Sequence, residues 1–175
     1  MKLIEGMKRL RVIEKRMASN IENINRYAAI LSTERPMFGS EDKQRSEVKA
    51  LIQANRDLMD EYLILKKRIE RTNLGIEIEI QGTKYQISDL LIIKRKLAKM
   101  MESTYSALNT KQAELRMTRG GMQAPVGERI QVVPMFDETD KNTQLRLWQD
   151  LYDNIDSRLE VINATAELLE ITDKI

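Results

Sequence analysis

Neither cysteine nor histidine occurs among the 175 residues. Without thiols there are no disulfides and no thiolate nucleophile, which is compatible with a reducing compartment. Without imidazole the commonest general base near neutral pH and the commonest metal ligand are both missing. An ordinary enzyme is therefore not expected, and no catalytic residue, cofactor or metal ligand is assigned. Aromatic residues make up 5% of the chain, and there are only seven glycines and three prolines. A chain poor in these but 32% charged leans towards long helices and coiled coils. No apolar run approaches the roughly 18 residues of a membrane span, and Leu90 to Ile93 is the densest cluster. The opening Met-Lys-Leu-Ile-Glu-Gly-Met-Lys-Arg gains charge too early for a signal peptide. The expected location is the cytoplasm or a virion.

What is present is charge, unevenly spread. The net charge is +2, yet residues 1–33 hold seven Lys/Arg against three Asp/Glu, and residues 34–87 hold ten against ten. Residues 88–129 hold eight against four, and residues 130–175 four against ten. An acidic last helix beside basic first and third helices implies complementary faces within a bundle or between subunits. The plain alternative is that both are solvated surfaces.

Apolar spacing places the elements. From Leu3 the positions Met7, Leu10, Met17, Ile21, Ile24, Ala28 and Leu31 alternate steps of three and four, with Glu14 the one polar break, so a heptad-patterned helix is expected over 2–32. Pro36 and Gly39 end it. Ser40 caps a second helix, 40–73, with the seam Val48, Leu51, Asn55, Leu58, Tyr62, Leu65 and Ile69. Asn55 stands where an apolar residue is expected, and such a residue fixes register unless the helix turns it to water. Ile76, Ile78 and Ile80 alternate with Glu77 and Glu79. Gly82 turns the chain and Tyr85 and Ile87 resume the alternation, which makes a hairpin over 76–87 with Ser88 capping the next helix. That helix, 88–118, carries Leu90, Ile93, Leu97, Met101, Tyr105, Leu108 and Leu115. The linker and strand region is 119–138, with Arg119 to Gly127 a linker and Ile130 to Phe136 a strand that Pro134 demotes to an edge or a short segment. Thr139 or Asp137 caps a last helix, 139–172, with the seam Leu145, Trp148, Tyr152, Ile155, Leu159, Ile162, Ala166 and Leu169.

The candidate chemical sites have plainer structural readings. Glu77 and Glu79 are what the wet face of a half-buried strand requires. Asp137, Glu138 and Asp140 suit a helix start better than a cation site. Lys94-Arg95-Lys96 is a basic cluster without interleaved aromatics, so nucleic-acid binding is a minor reading. Trp148 and Tyr152 read as core anchors and not as a stacking platform. The loop at 119–127 lacks the spacing of a phosphate cradle.

Met1 to Gly6 with Ile13-Glu-Lys-Arg-Met17, Arg68-Ile-Glu-Arg-Thr-Asn73, Gly82-Thr-Lys-Tyr-Gln-Ile-Ser-Asp-Leu90, Ile130-Gln-Val-Val133, and Ile155 to Leu159 with Asn163 to Leu168 resemble the septicolysin-like family of small bacterial helical proteins. The closing motif departs from the family's, which carries an aromatic where this chain has Ala164 or Thr165. The resemblance implies a helix-hairpin-helix architecture and, through the family's name, a pore-forming activity. Chains of this build also look like small structural proteins of phage particles.

The resulting expectation is a mainly α protein: an elongated antiparallel four-helix bundle or coiled coil, with a hairpin between helices two and three and a strand before helix four. Its expected role is non-catalytic self-assembly and protein binding, with a membrane-acting protein and a nucleic-acid binder as the alternatives. The expected partners are further copies of the chain and other structural proteins, with neither nucleic acid nor membrane. The interaction residues are Ile76, Ile78, Ile80, Tyr85, Ile130, Val132, Trp148, Tyr152 and Asn55.

Overall fold

A seven-residue repeat builds the first part of the fold. The computed structural model describes residues 1–119 and 130–170; it is mainly helical, at 73%, with one small antiparallel two-stranded sheet. The chain divides into two compact units, Met1–Ile78 together with the chain from Glu160 onward, and Glu79–Leu159.

In the first unit, helices α1 (Leu3–Tyr27) and α2 (Glu41–Gly75) pack on one another. The α1 stripe is buried at Leu3, Gly6, Leu10 and Ile13 and half-buried at Met17, Asn20, Ile24 and Tyr27. The expected seam through Met7 and Ile21 is therefore displaced by one residue, and Ile21 is exposed. The displacement has a steric cause. A Cβ on Gly6 would stand 2.8 Å from Leu168 Cδ1 and 3.4 Å from Leu65 Cδ1, so the closest approach falls where the sequence has no side chain. The α2 seam runs where its spacing placed it, with Leu65 and Ile69 buried, and two buried polar residues, Gln44 and Thr72, extend it at either end.

Helix α1 stops at Tyr27 and not at residue 32. The Gln44 side-chain amide donates to the Tyr27 carbonyl at 2.8 Å, and the Leu31 N–H, the helical partner of that carbonyl, goes to Glu34 Oε2 at 3.0 Å. Phe38 sits edge-on against Tyr27 with centroids 5.0 Å apart. Ser40 caps α2 by accepting from the Lys43 N–H.

The hairpin joins β1 (Glu77–Ile80) to β2 (Thr83–Gln86). Gln81 and Gly82 have φ of 52° and 79°, the paired left-handed conformation of a two-residue hairpin turn. Ile78 and Ile80 are buried and Glu77 and Glu79 are exposed, as the alternation required.

In the second unit the expected helix 88–118 is interrupted twice. It begins one residue early, as α3 (Ile87–Ile92), because the Gln86 N–H donates to Asp89 Oδ2 at 3.1 Å; Gln86, and not Ser88, occupies the cap. Ile93–Leu97 forms a π-turn before α4 (Ala98–Ser106). A π-turn takes up one extra residue, and the inward position accordingly falls on buried Ala98 while Leu97 is exposed. Asn109 then breaks the helix. Its amide donates to the Ser106 and Ala107 carbonyls, both at 3.1 Å, while its Oδ1 accepts from the Lys111 N–H and opens α5 (Lys111–Arg119).

Residues 130–136 form no strand, and β1 and β2 are the only strands among the described residues. Pro134 supplies no N–H for a ladder, and Asp137 turns the chain at once into α6 (Glu138–Thr165) by accepting from the Asp140 N–H at 2.9 Å. Most of the expected linker, 120–129, and the end of the expected last helix, 171–172, lie outside the described residues. Helix α6 ends at Thr165, seven residues short of the expected boundary. Beyond it, in the first unit, the chain runs extended: the Leu3 N–H donates to Ala166 O, the Leu168 N–H to Met1 O, and Lys2 bridges antiparallel to Glu167. Leu168 is consequently buried, while Leu169, the expected seam residue, is 38% exposed. The described residues thus show the mainly helical chain and its small antiparallel hairpin.

Candidate interaction site

Three groups of residues carry the surface chemistry. The first lies between α1 and α2. Arg9 holds Glu61 through two nitrogens at 2.6 and 3.0 Å, and this hydrogen bond lowers the Glu61 pKa and raises that of Arg9. The Tyr62 hydroxyl donates to Glu14 at 3.1 Å, which raises the tyrosine pKa. Asn55 accepts from Asn20 Nδ2 at 2.9 Å and reaches the Met17 carbonyl at 3.5 Å. Asn55 therefore faces a helix partner, as its seam position implied, and that partner is the chain's own α1. Asn20 was missed because the apolar spacing favoured its neighbour Ile21. The usable signal was that Asn20 falls on the repeat Leu3, Leu10, Met17, Ile24 when counted in threes and fours.

The second is the clasp at the chain ends. Glu167 receives Lys2 Nζ at 2.8 Å and the Met1 amine at 3.0 Å. Lys2 first, and the amine after it, hold the Glu167 carboxyl at about 2. Thr72, fully buried on α2, accepts from the Leu169 N–H at 3.0 Å and donates to the Arg68 carbonyl at 2.7 Å. Arg68 in turn pairs with Glu170 at 2.6 Å. No motif announced this arrangement. Its signal was Thr72 continuing the α2 seam after Ile69.

The third is a groove of about 560 Å³ in the second unit. One wall is Arg95, Ala98 and Lys99, from the π-turn and α4; the other is Trp148, Tyr152 and Asp153 of α6. Lys94 pairs with Asp156, tying the two walls together. The structure thus brings Trp148 and Tyr152 to one lined concavity, with Trp148 half-buried and Tyr152 38% exposed. They are less buried than core anchors would be.

The remaining expected interaction residues divide. Ile78 and Ile80 are buried and Ile76 and Tyr85 half-buried, so their apolar surface is largely spent inside the fold. Ile130 is exposed and Val132 half-buried; beyond them Val133 is 65% and Met135 89% exposed. Among the described residues no cluster of three or more acidic side chains could hold a metal ion, and no helix is long and apolar enough to cross a membrane. Comparison of the chain with family models, curated proteins and solved structures gives no match.

Proposed function

We propose that this protein is a non-catalytic structural component that works by self-assembly, in the manner of a scaffold or virion part. The observation that carries the reading is the uncovered apolar chain at 130–135, where Ile130, Val133 and Met135 all face solvent. Large apolar side chains clustered on a surface mark contact sites. An exposed apolar segment can add to an open sheet edge, and the two-stranded β1–β2 sheet has two such edges. Pairing between copies gives both a partner.

The test is light scattering coupled to size exclusion at micromolar concentration. An oligomer supports the reading, and deletion of 130–136 then lowers its mass without loss of helical circular dichroism. A monomer overturns it. Dye-loaded liposomes stay intact under this reading, whereas leakage favours the membrane-acting alternative.

A further inference from the structure

We infer that the groove between α4 and α6 is the contact for the same groove of a second copy, related by a two-fold axis parallel to the helices. The inference rests on the self-assembly reading and adds a second contact surface to the one at 130–135. The groove is lined by the apolar surface of Ala98, Leu145, Trp148 and Tyr152, with Lys94, Arg95, Lys99 and Glu102 on the α4 side and Asp153 on the α6 side. Over 87–106 the chain carries Lys94, Arg95, Lys96 and Lys99 against Asp89 and Glu102; over 138–165 it carries six Asp/Glu against three Lys/Arg. The pair Lys94–Asp156 already uses this complementarity within one chain. Among the described residues Arg95, Lys99 and Asp153 form no ion pair.

Geometry selects the symmetry. Lys94 meets Asp156 at one end of the groove, and from there the lining runs forward to Ser106 on one side and back to Leu145 on the other, so the walls are antiparallel. A two-fold axis along the helices lays α4 of one copy over α6 of the other at the same level. Arg95 and Lys99 of each copy then stand against Asp153 of the other, and the two aromatic floors close on one another as the core of a four-helix bundle. A two-fold axis across the helices would stack basic wall on basic wall, which like charges disfavour. Taken by itself, this contact is self-complementary and closes at two copies.

Trp148 is the only tryptophan in the chain, so it reports on this groove alone. On raising the concentration through the association range, its emission shifts to the blue and acrylamide quenching falls several-fold. The decisive test uses two variants, Arg95→Asp/Lys99→Asp and Asp153→Lys, each verified by circular dichroism. Each alone associates at least tenfold more weakly than the parent, because like charges now meet across the contact. An equimolar mixture recovers parent-like association, because every contact across the mixed pair is again opposite in sign. Failure of the folded mixture to recover, or an oligomer in which Trp148 stays fully quenchable, overturns the groove contact and leaves self-assembly standing. A monomer at all concentrations overturns both.

Discussion

Substituting Thr72→Val tests how the end of the chain is held. Valine keeps the volume and the branched shape, so the change removes one hydroxyl at a residue with no exposed surface. That hydroxyl donates to Arg68 O at 2.7 Å, and a carbonyl within a helix keeps its backbone partner without it. The loss that matters is at the Leu169 N–H, 3.0 Å from Thr72 Oγ1, which then faces a methyl group. Leaving a buried donor without an acceptor costs about 1–3 kcal/mol. Leu169 is part-exposed, so the lower half of that range applies, about 1–2 kcal/mol. At roughly 2–4 °C per kcal/mol for a chain of this size, the melting temperature falls by several degrees. Thr72→Ser removes a methylene's worth of packing, about 1 kcal/mol, and so has a similar thermal effect. The two are separated by amide hydrogen exchange: the valine variant loses protection at Leu169, and the serine variant keeps it. Equal Leu169 protection in both variants would refute the hydrogen bond as the fastening.

Asn20 and Asn55 should behave as one unit: Asn20→Ala and Asn55→Ala each cost about 1 kcal/mol, and a double-mutant cycle returns a coupling of at least 0.5 kcal/mol; strict additivity would show that the two amides do not depend on each other. Replacing both by leucine should raise the melting temperature while relaxing the α1–α2 register, seen as broadened amide resonances. The clasp should be acid-sensitive. The folded Glu167 pKa, about 2, lies below the ordinary 4.5, so its contribution is fully present above about pH 4.5 and is lost as pH falls from there towards 2. Exchange at the Leu3 and Leu168 amides should accelerate across that window, and Glu167→Gln should remove the acid dependence. An unchanged acid limb in the glutamine variant would assign it to other carboxylates. Gly6→Val should destabilise the first unit through its clash with Leu168, by about 1–3 kcal/mol after allowing for better helix propensity.

Much of the fold was legible where apolar side chains repeat strongly, as in the α2 seam and the Ile78 and Ile80 face of the hairpin. It was not legible where a polar or absent side chain holds an inward position. Gly6 and Asn20 carry no apolar signal, so the α1 pattern shifted to Met7 and Ile21 even though close packing and an amide pair fix the true face. Helix ends failed for a related reason. The stop at Tyr27 depends on Gln44, and the stop at Thr165 on backbone partners at Met1 and Leu3, which are distant in sequence. The π-turn at 93–97 moved the third stripe by one residue, and no local composition cue marks it. Trp148 and Tyr152 were legible as important but misread as core, because periodicity shows which residues share a face and not whether that face is covered.

That last distinction separates the two units by what they leave to a partner. In the first unit the residues that set register are polar and satisfied within the chain: Arg9 with Glu61, Asn20 with Asn55, Gln44 with Tyr27, and Thr72 with Leu169. Such pairs add little net stability but penalise every other alignment, because a slipped register would strand each of them. In the second unit the inward residues Leu90, Ala98 and Ile155 are buried, yet Trp148, Tyr152, Val133 and Met135 keep much of their surface in water. In the groove, Trp148 and Tyr152 share the lining with Arg95, Lys99 and Asp153, which have no ion-pair partner among the described residues. Apolar area supplies affinity without direction, and charge supplies direction with little affinity. Under the proposed groove contact, holding both in one groove is what would let the chain choose a copy of itself in a single orientation.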